Sequence, residues 1–217
     1  MYKTVVFDLD GTLLNTLTDL ADAGNRLCRK YGWPTHERQA YRYFVGNGIP
    51  KLVERLAPAD QRTPAVLEAA LADFKRDYGQ HLRDTTAPYP GIPEMLANLK
   101  ANGVQLAVFS NKADALAKEV VKDYFGTQYF TIVRGQMTGV APKPAAEGTN
   151  ALLQALHADP ASTLYVGDSN VDVETAHNAN LPCCGAVWGF RTREELNAAG
   201  AEYLAENSDE LYDAIMK

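Results

Sequence analysis

At 217 residues, 46% hydrophobic and 22% charged, the chain is long enough to bury a sizeable core, as one domain or as a domain carrying an insertion. A net charge of −6 argues against a face built to neutralise duplex phosphates, though not against a local basic pocket for a small anion. With no signal peptide, no apolar run of membrane-spanning length and only three cysteines (Cys28, Cys183, Cys184), the expectation is a cytoplasmic protein with buried thiols and no nucleic-acid or membrane partner.

The first predicted element is the strand KTVVFDL at residues 3–9. Residues 15 to about 86 then contain no convincing strand. LTDLADAGNRLCRKYG places Leu17, Leu20, Gly24 and Leu27 along one helical side, GIPKLVERLA continues the helical reading, and PAVLEAALADFKRDYGQHL repeats it through Val66, Ala70, Phe74 and Tyr78. TTAPYPG is a Pro-rich return linker. From residue 90 helices and strands alternate. IPEMLANLKANG is helical, VQLAVFS a buried strand, and ADALAKEVVKDYFG a helix with Leu116, Val120 and Tyr124 on one face. FTIV is a strand, AAEGTNALLQALHA a helix, and STLYVGD a strand followed by a helix over about 171–180. CCGAVW is a further strand. TREELNAAG is a short helix with the capping-box pair Thr192 and Glu195, AEYLAE a late edge strand, and SDELYDAIMK a closing helix capped by Ser208. The alternation predicts an α/β fold: a Rossmann-like parallel sheet core, residues 1–14 and 87–217, with an all-helical cap, residues 15–86, inserted after the first strand.

In such sheets ligands bind beyond the carboxyl ends of the strands. The first strand ends in Asp8-Leu9-Asp10-Gly11-Thr12. Period-two alternation puts Asp8 and Asp10 on the same side, where two like charges repel and shift each other's pKa. A cation, a shared proton or chemistry must offset that. The second strand ends in Ser110-Asn111-Lys112, STLYVGD runs into Asp168-Ser169 with Asp172 four residues on, and Lys143 sits between two prolines at a helix entrance. Singly, Ser110 reads as a turn residue, Lys143 as surface charge and Asp168-Ser169 as a helix cap. Jointly they mark a site. Asp8 and Asp168 carboxylates with the Asp10 backbone carbonyl form an oxygen set suited to Mg²⁺. A carboxylate can also attack phosphorus. Lys143, Ser110 and the amides of Leu9 to Thr12 and of Asn111 can neutralise the transferring group. Asp10 is then suitably placed as general acid and base.

The stretches FDLDGT, VFSNK, PKP and VGDSNVD, in that order across residues 7–172, resemble the haloacid dehalogenase-like superfamily of phosphohydrolases. The resemblance implies Asp8 as nucleophile, Asp10 as acid/base, Ser110 and Lys143 as phosphoryl and charge-balancing groups, and Asp168 as metal ligand. Asp172 would support the metal or bond to Lys143. FVGNGIPKLVERL and VWGFRTREELNAAGAEYLAENSDEL look most like phosphoglycolate phosphatases, with Ala146 and Asn15 as departures. The implied partner is a small phosphorylated metabolite and the implied cofactor Mg²⁺. Thr12, Asn111, Gly46, Gly48 and Lys51 are the expected substrate-binding residues, with Arg55 on the same helical face as Lys51. Solvated surface charge is the competing reading of Lys51 and Arg55. Trp188-Gly189-Phe190-Arg191 reads as rim and packing. A sugar-phosphate mutase would share every core motif. A binding module with an inert site would be expected to have lost a nucleophile, lysine or metal ligand. A dehalogenase would lack Asp10 and the metal.

Overall fold

The computed structural model describes every residue, Met1–Lys217. The chain divides into two compact units, Met1–Asn15 with Pro88–Lys217 (unit 1) and Thr16–Ala87 (unit 2).

Unit 2 holds four α-helices: α1 (Leu17–Tyr31), α2 (Arg38–Phe44), α3 (Ile49–Leu56) and α4 (Pro64–Gln80). Leu20, Gly24 and Leu27 of α1 and Ala70, Phe74 and Tyr78 of α4 are buried, as their spacing predicts. A Cβ at Gly24 would run into the Tyr41 ring, so glycine permits the close approach of α2. Rows of opposite charge join α1 to α4: Arg26 meets Asp77 at 2.8 Å and Lys30 meets Asp73 at 2.6 Å. The buried Asp19 carboxylate accepts four hydrogen bonds, from the backbone and hydroxyl groups of Thr85 and Thr86, and so anchors the start of α1 to the end of the unit. Periodicity does not mark α2, because Tyr41 alone among its residues is buried.

Unit 1 is built on six parallel strands: β1 (Thr4–Phe7), β2 (Gln105–Ala113), β3 (Phe130–Gln136), β4 (Thr163–Gly167), β5 (Cys183–Ala186) and β6 (Tyr203–Ala205). Their order in the sheet is β3-β2-β1-β4-β5-β6. Thr4–Phe7 pair with Gln105–Val108 on one side and Thr163–Val166 on the other. The chain therefore winds outward in opposite directions from β1, and the crevice beyond β1 and β4 is the switch point where such sheets take ligands. All four residues of β1 and all five of β4 are buried, as strands covered on both faces require. The connecting helices are α5 (Ile92–Ala101), α6 (Asp114–Phe125), α7 (Ala146–Leu156), α8 (Asn170–Asn178), α9 (Arg193–Ala199) and α10 (Ser208–Met216). Val6, Ala107, Phe109, Leu152, Tyr165, Val173 and Leu196 form the centre of one core cluster. Each large apolar side chain buried there contributes about 1.5–3 kcal/mol.

Three local expectations are corrected. The buried stripe of α6 is Ala117, Val120, Val121 and Phe125, so Leu116 and Tyr124 flank it half-buried. The closing helix is capped by Asn207, whose Oδ1 accepts from the amides of Asp209 and Glu210, and Ser208 is its first residue. β2 runs three residues beyond VQLAVFS, with its pairing to β3 shifted between Phe109 and Ala113. The Thr192–Glu195 capping box is formed as expected.

Candidate active site

The turn after β1 is tied by its own backbone. The Asp8 amide continues the sheet by donating to Val166 at 2.8 Å, and the Leu9 carbonyl accepts from Leu13 and Leu14, each at 3.0 Å. Gly11 has φ 93°, and a Cβ on it would collide with the Asp168 carboxylate. Only glycine combines that backbone conformation with that approach. The turn thereby brings the loop against the end of β4. Thr12 Oγ1 donates to Asp168 Oδ1 at 2.9 Å, and the Phe190 amide donates to Asp168 Oδ2 at 2.7 Å.

Lys143 occupies the middle of this rim and is buried. Its Nζ lies 2.7 Å from Asp172 Oδ1, 3.2 Å from Tyr165 Oη and 3.3 Å from the Phe109 carbonyl. Asp8 Oδ1 is 2.8 Å from the same ammonium, so Lys143 meets both Asp8 and Asp172. Asn111 clasps the Lys143 backbone from both sides: its Oδ1 accepts from the Lys143 amide at 2.8 Å and its Nδ2 donates to the Lys143 carbonyl at 3.2 Å. Asp172 is the third helical residue of α8. Its Oδ2 accepts from the Ser169 amide at 3.1 Å and hydroxyl at 2.6 Å, closing a capping box while Oδ1 holds Lys143.

Carboxylate oxygens of Asp8, Asp168 and Asp172 all come within 4.8 Å of one another. Such crowding shows in the acidities. Burial, and then the Asp172 charge, push Asp8 up to about 7 against the pull of Lys143. Burial, followed by the charges of Asp172 and Asp8, raises Asp168 well above the usual carboxylate range despite its bonds to Phe190 and Thr12. Burial alone would lower the Lys143 ammonium, but Asp172 and Asp8 outweigh it and hold the group well above its ordinary value. The donors around this pocket of negative charge are all oxygen, which suits a hard divalent cation.

Asp8, Asp10, Thr12, Ser110, Asn111, Lys143, Asp168 and Asp172 all lie in unit 1, at the carboxyl ends of its strands, in the segments that follow or, for Asp172, in the first turn of α8. Several expectations change there. The Thr12 hydroxyl, fully buried, is engaged with Asp168, and the Asn111 side chain with Lys143, so both position charged groups. The Asp10 carboxylate turns to Lys112, whose Nζ lies 3.1 Å from Oδ1 and 3.4 Å from Oδ2; the carboxylate cluster around Asp8 and Asp168 is completed by Asp172. Ser110 is buried, and its Oγ accepts from the Lys112 amide at 3.2 Å. Gly46, Gly48 and Lys51 lie in unit 2. Gly46 and Gly48 have φ 106° and 83° and form the turn into α3, which Arg55 ties by donating to Tyr43, Phe44 and Asn47. Lys51 makes an exposed ion pair with Glu54 at 2.8 Å, where long solvated side chains one turn apart meet most readily. The sequence assigns no role to Lys112 or Tyr165, and the Trp188–Arg191 segment, expected as rim and packing, lies against the rim. Lys112 stood in a quoted motif, but nothing in a linear sequence shows which carboxylate a lysine meets. Phe190 acts through its backbone, and Trp188 Nε1 donates to the Thr12 carbonyl at 3.0 Å, so this segment braces the Asp168 side of the site.

The family model for haloacid dehalogenase-like hydrolases matches residues 5–186. A phosphoglycolate phosphatase of Chromobacterium violaceum is 31% identical over 214 residues, covering 97% of this chain and 95% of its own. One from Thiobacillus denitrificans is 31% identical over 191 residues, covering 87% and 84%. Among solved structures, a crystal structure from Lactobacillus delbrueckii subsp. bulgaricus assigned as a phosphoglycolate phosphatase superposes with a TM-score of 0.93 at 29% identity, covering 99% of this chain and 98% of that one. A 3-2-1-4-5-6 parallel sheet, an aspartate-rich rim at its switch point and a match to the model over most of the length agree: the chain belongs to the haloacid dehalogenase-like hydrolase family.

Proposed function

We propose that the chain is a phosphatase that hydrolyses a small phosphate monoester of the phosphoglycolate type through an aspartyl-phosphate. The observation that carries this reading is the buried cluster of Asp8, Asp168 and Asp172 around Lys143, at the carboxyl ends of β1 and β4. Relatives named phosphoglycolate phosphatase over nearly the full chain support the substrate class.

Asp8 attacks phosphorus while Asp10 gives a proton to the departing ester oxygen, so that one P–O bond forms as the other breaks. Asp10 then takes a proton from water, whose oxygen attacks the aspartyl-phosphate, releasing phosphate and restoring the Asp8 carboxylate. Ser110 and Lys143 bind the phosphoryl oxygens, and Asp172 keeps Lys143 in place against Asp8. Asp8 and Asp168, with the Asp10 carbonyl, would hold Mg²⁺. When bound, Mg²⁺ neutralises charge on the phosphoryl oxygens and on the two carboxylates. Unit 1 is proposed as the catalytic core and unit 2 as the helical cap. The deciding experiment is phosphate release from a panel of phosphate esters with Mg²⁺, with and without a sugar-phosphate acceptor. Release to water identifies the phosphatase. Transfer to the acceptor without release identifies a mutase, and no turnover of any ester overturns the reading.

A further inference from the structure

Asp8 and Asp10 are two residues apart, yet the structure gives each its own lysine. Asp8 meets Lys143, and Asp10 meets Lys112. The Lys112 side chain is 2% exposed, so its charge is held inside the protein at a desolvation cost that an ordinary surface lysine avoids. The Asp10 carboxylate is 19% exposed, leaving it open to a reacting group. Lys112 Nζ straddles both Asp10 oxygens, at 3.1 and 3.4 Å, which fixes where the carboxylate points. The backbone around it is equally specific. The Lys112 amide donates to Ser110 Oγ, while the intervening Asn111 side chain turns to Lys143. Along Ser110-Asn111-Lys112, β2 departs from regular pairing with β3.

From this arrangement we infer that Lys112 is the positioning residue for the acid/base Asp10, holding its carboxylate where it can protonate the leaving oxygen and keeping it apart from Asp8. The inference rests on the phosphatase reading above. It concerns the first chemical step, so its signature is a dependence on the leaving group. An alkoxide must be protonated as it departs, whereas nitrophenolate departs with little help.

The test compares kcat and KM for an alkyl phosphate and for nitrophenyl phosphate in wild type, Lys112→Met and Lys112→Arg, with saturating Mg²⁺. Lys112→Met is expected to lower kcat for the alkyl ester by roughly tenfold or more, a fraction of what a general acid supplies, and to lower it several-fold less for nitrophenyl phosphate. KM should stay within about twofold, and Lys112→Arg should recover most of the loss because a guanidinium can span the same two oxygens. Equal losses for both esters, a raised KM at unchanged kcat, or no recovery with arginine would overturn the inference. If Lys112→Met folds poorly, Lys112→Gln is read by the same leaving-group ratio. A wild type inert toward every ester refutes the phosphatase reading itself, whereas an active wild type matched by its variants refutes only the role of Lys112.

Discussion

At the scale of single residues, the opening Asp-x-Asp is a problem of charge that tertiary contacts solve. Lys143 and Lys112 divide the two carboxylates between them, and the remaining excess of negative charge around Asp8, Asp168 and Asp172 has room for a cation. Asp8→Asn should abolish turnover, since an amide neither attacks phosphorus nor balances Lys143. Near wild-type phosphate release by this variant, with its fold intact by circular dichroism, would sink the mechanism. Asp8 also predicts a pH dependence. Burial, and then the Asp172 charge, raise its pKa in the folded protein without metal from 3.8 to about 7, so the folded state binds more protons than the unfolded state between those values. Stability from this group is therefore present at low pH and is lost as pH rises through about 7. Mg²⁺ competes with that proton, so it should raise Tm more at pH 8 than at pH 5.5, and Asp8→Asn should narrow the difference. A Mg²⁺ shift equal at both pH values would contradict the assignment of Asp8 as a ligand.

At the scale of elements, the site depends on strand ends and helix starts that are locked to each other by backbone groups. Asn111, near the end of β2, bonds both ways to the Lys143 backbone ahead of α7. Asn111→Ala leaves the Lys143 amide and carbonyl without those partners inside the protein, and should cost about 1–3 kcal/mol in chemical denaturation. It should also lower kcat, because Lys143 loses its fixed place between Asp8 and Asp172; a variant with full stability and full activity would show that the clasp is dispensable. In unit 2, α3 carries Lys51 in an exposed pair with Glu54, in place of the free cation that its position beside the Gly46–Gly48 turn suggested. Lys51→Ala should accordingly leave the ratio of kcat/KM between a carboxylated phosphate and nitrophenyl phosphate unchanged. A roughly tenfold selective loss for the carboxylated ester would restore Lys51 as a substrate contact.

For the whole molecule, the sheet topology and the family match agree on a haloacid dehalogenase-like hydrolase. No helix is long and apolar enough to cross a membrane, and the net charge of −6 leaves the cationic groups of the site as local exceptions. Chelation should abolish phosphate release and Mg²⁺ should restore it, since every group of the carboxylate cluster is an oxygen donor. Full activity in a sample shown by elemental analysis to be metal-free would refute the metal requirement.

The sequence by itself determined the class of fold and the residues that collect at its rim. Short β-branched apolar runs such as TVVF and TLYVG, ended by Asp and Gly, suit strands buried on both faces, the alternation with helical periods points to a parallel sheet, and such a sheet puts whatever follows its strands at one edge. The helical character of residues 15–86 was likewise legible from Leu20, Leu27, Phe74 and Tyr78. Most of the pairing was not legible, because it depends on distances between residues far apart in the chain. The bond of Asp172 to Lys143 was one of two roles the family resemblance offered, and it is formed; only the tertiary structure could decide that Thr12 serves Asp168 across 156 residues, that Lys112 takes Asp10 across 102, and that Asp8 meets the same ammonium as Asp172. Local sequence dictates which face a side chain occupies, whereas the partner of a buried charge is selected by whichever opposite charge the packed core brings within reach, since an unpaired one would be too costly to bury.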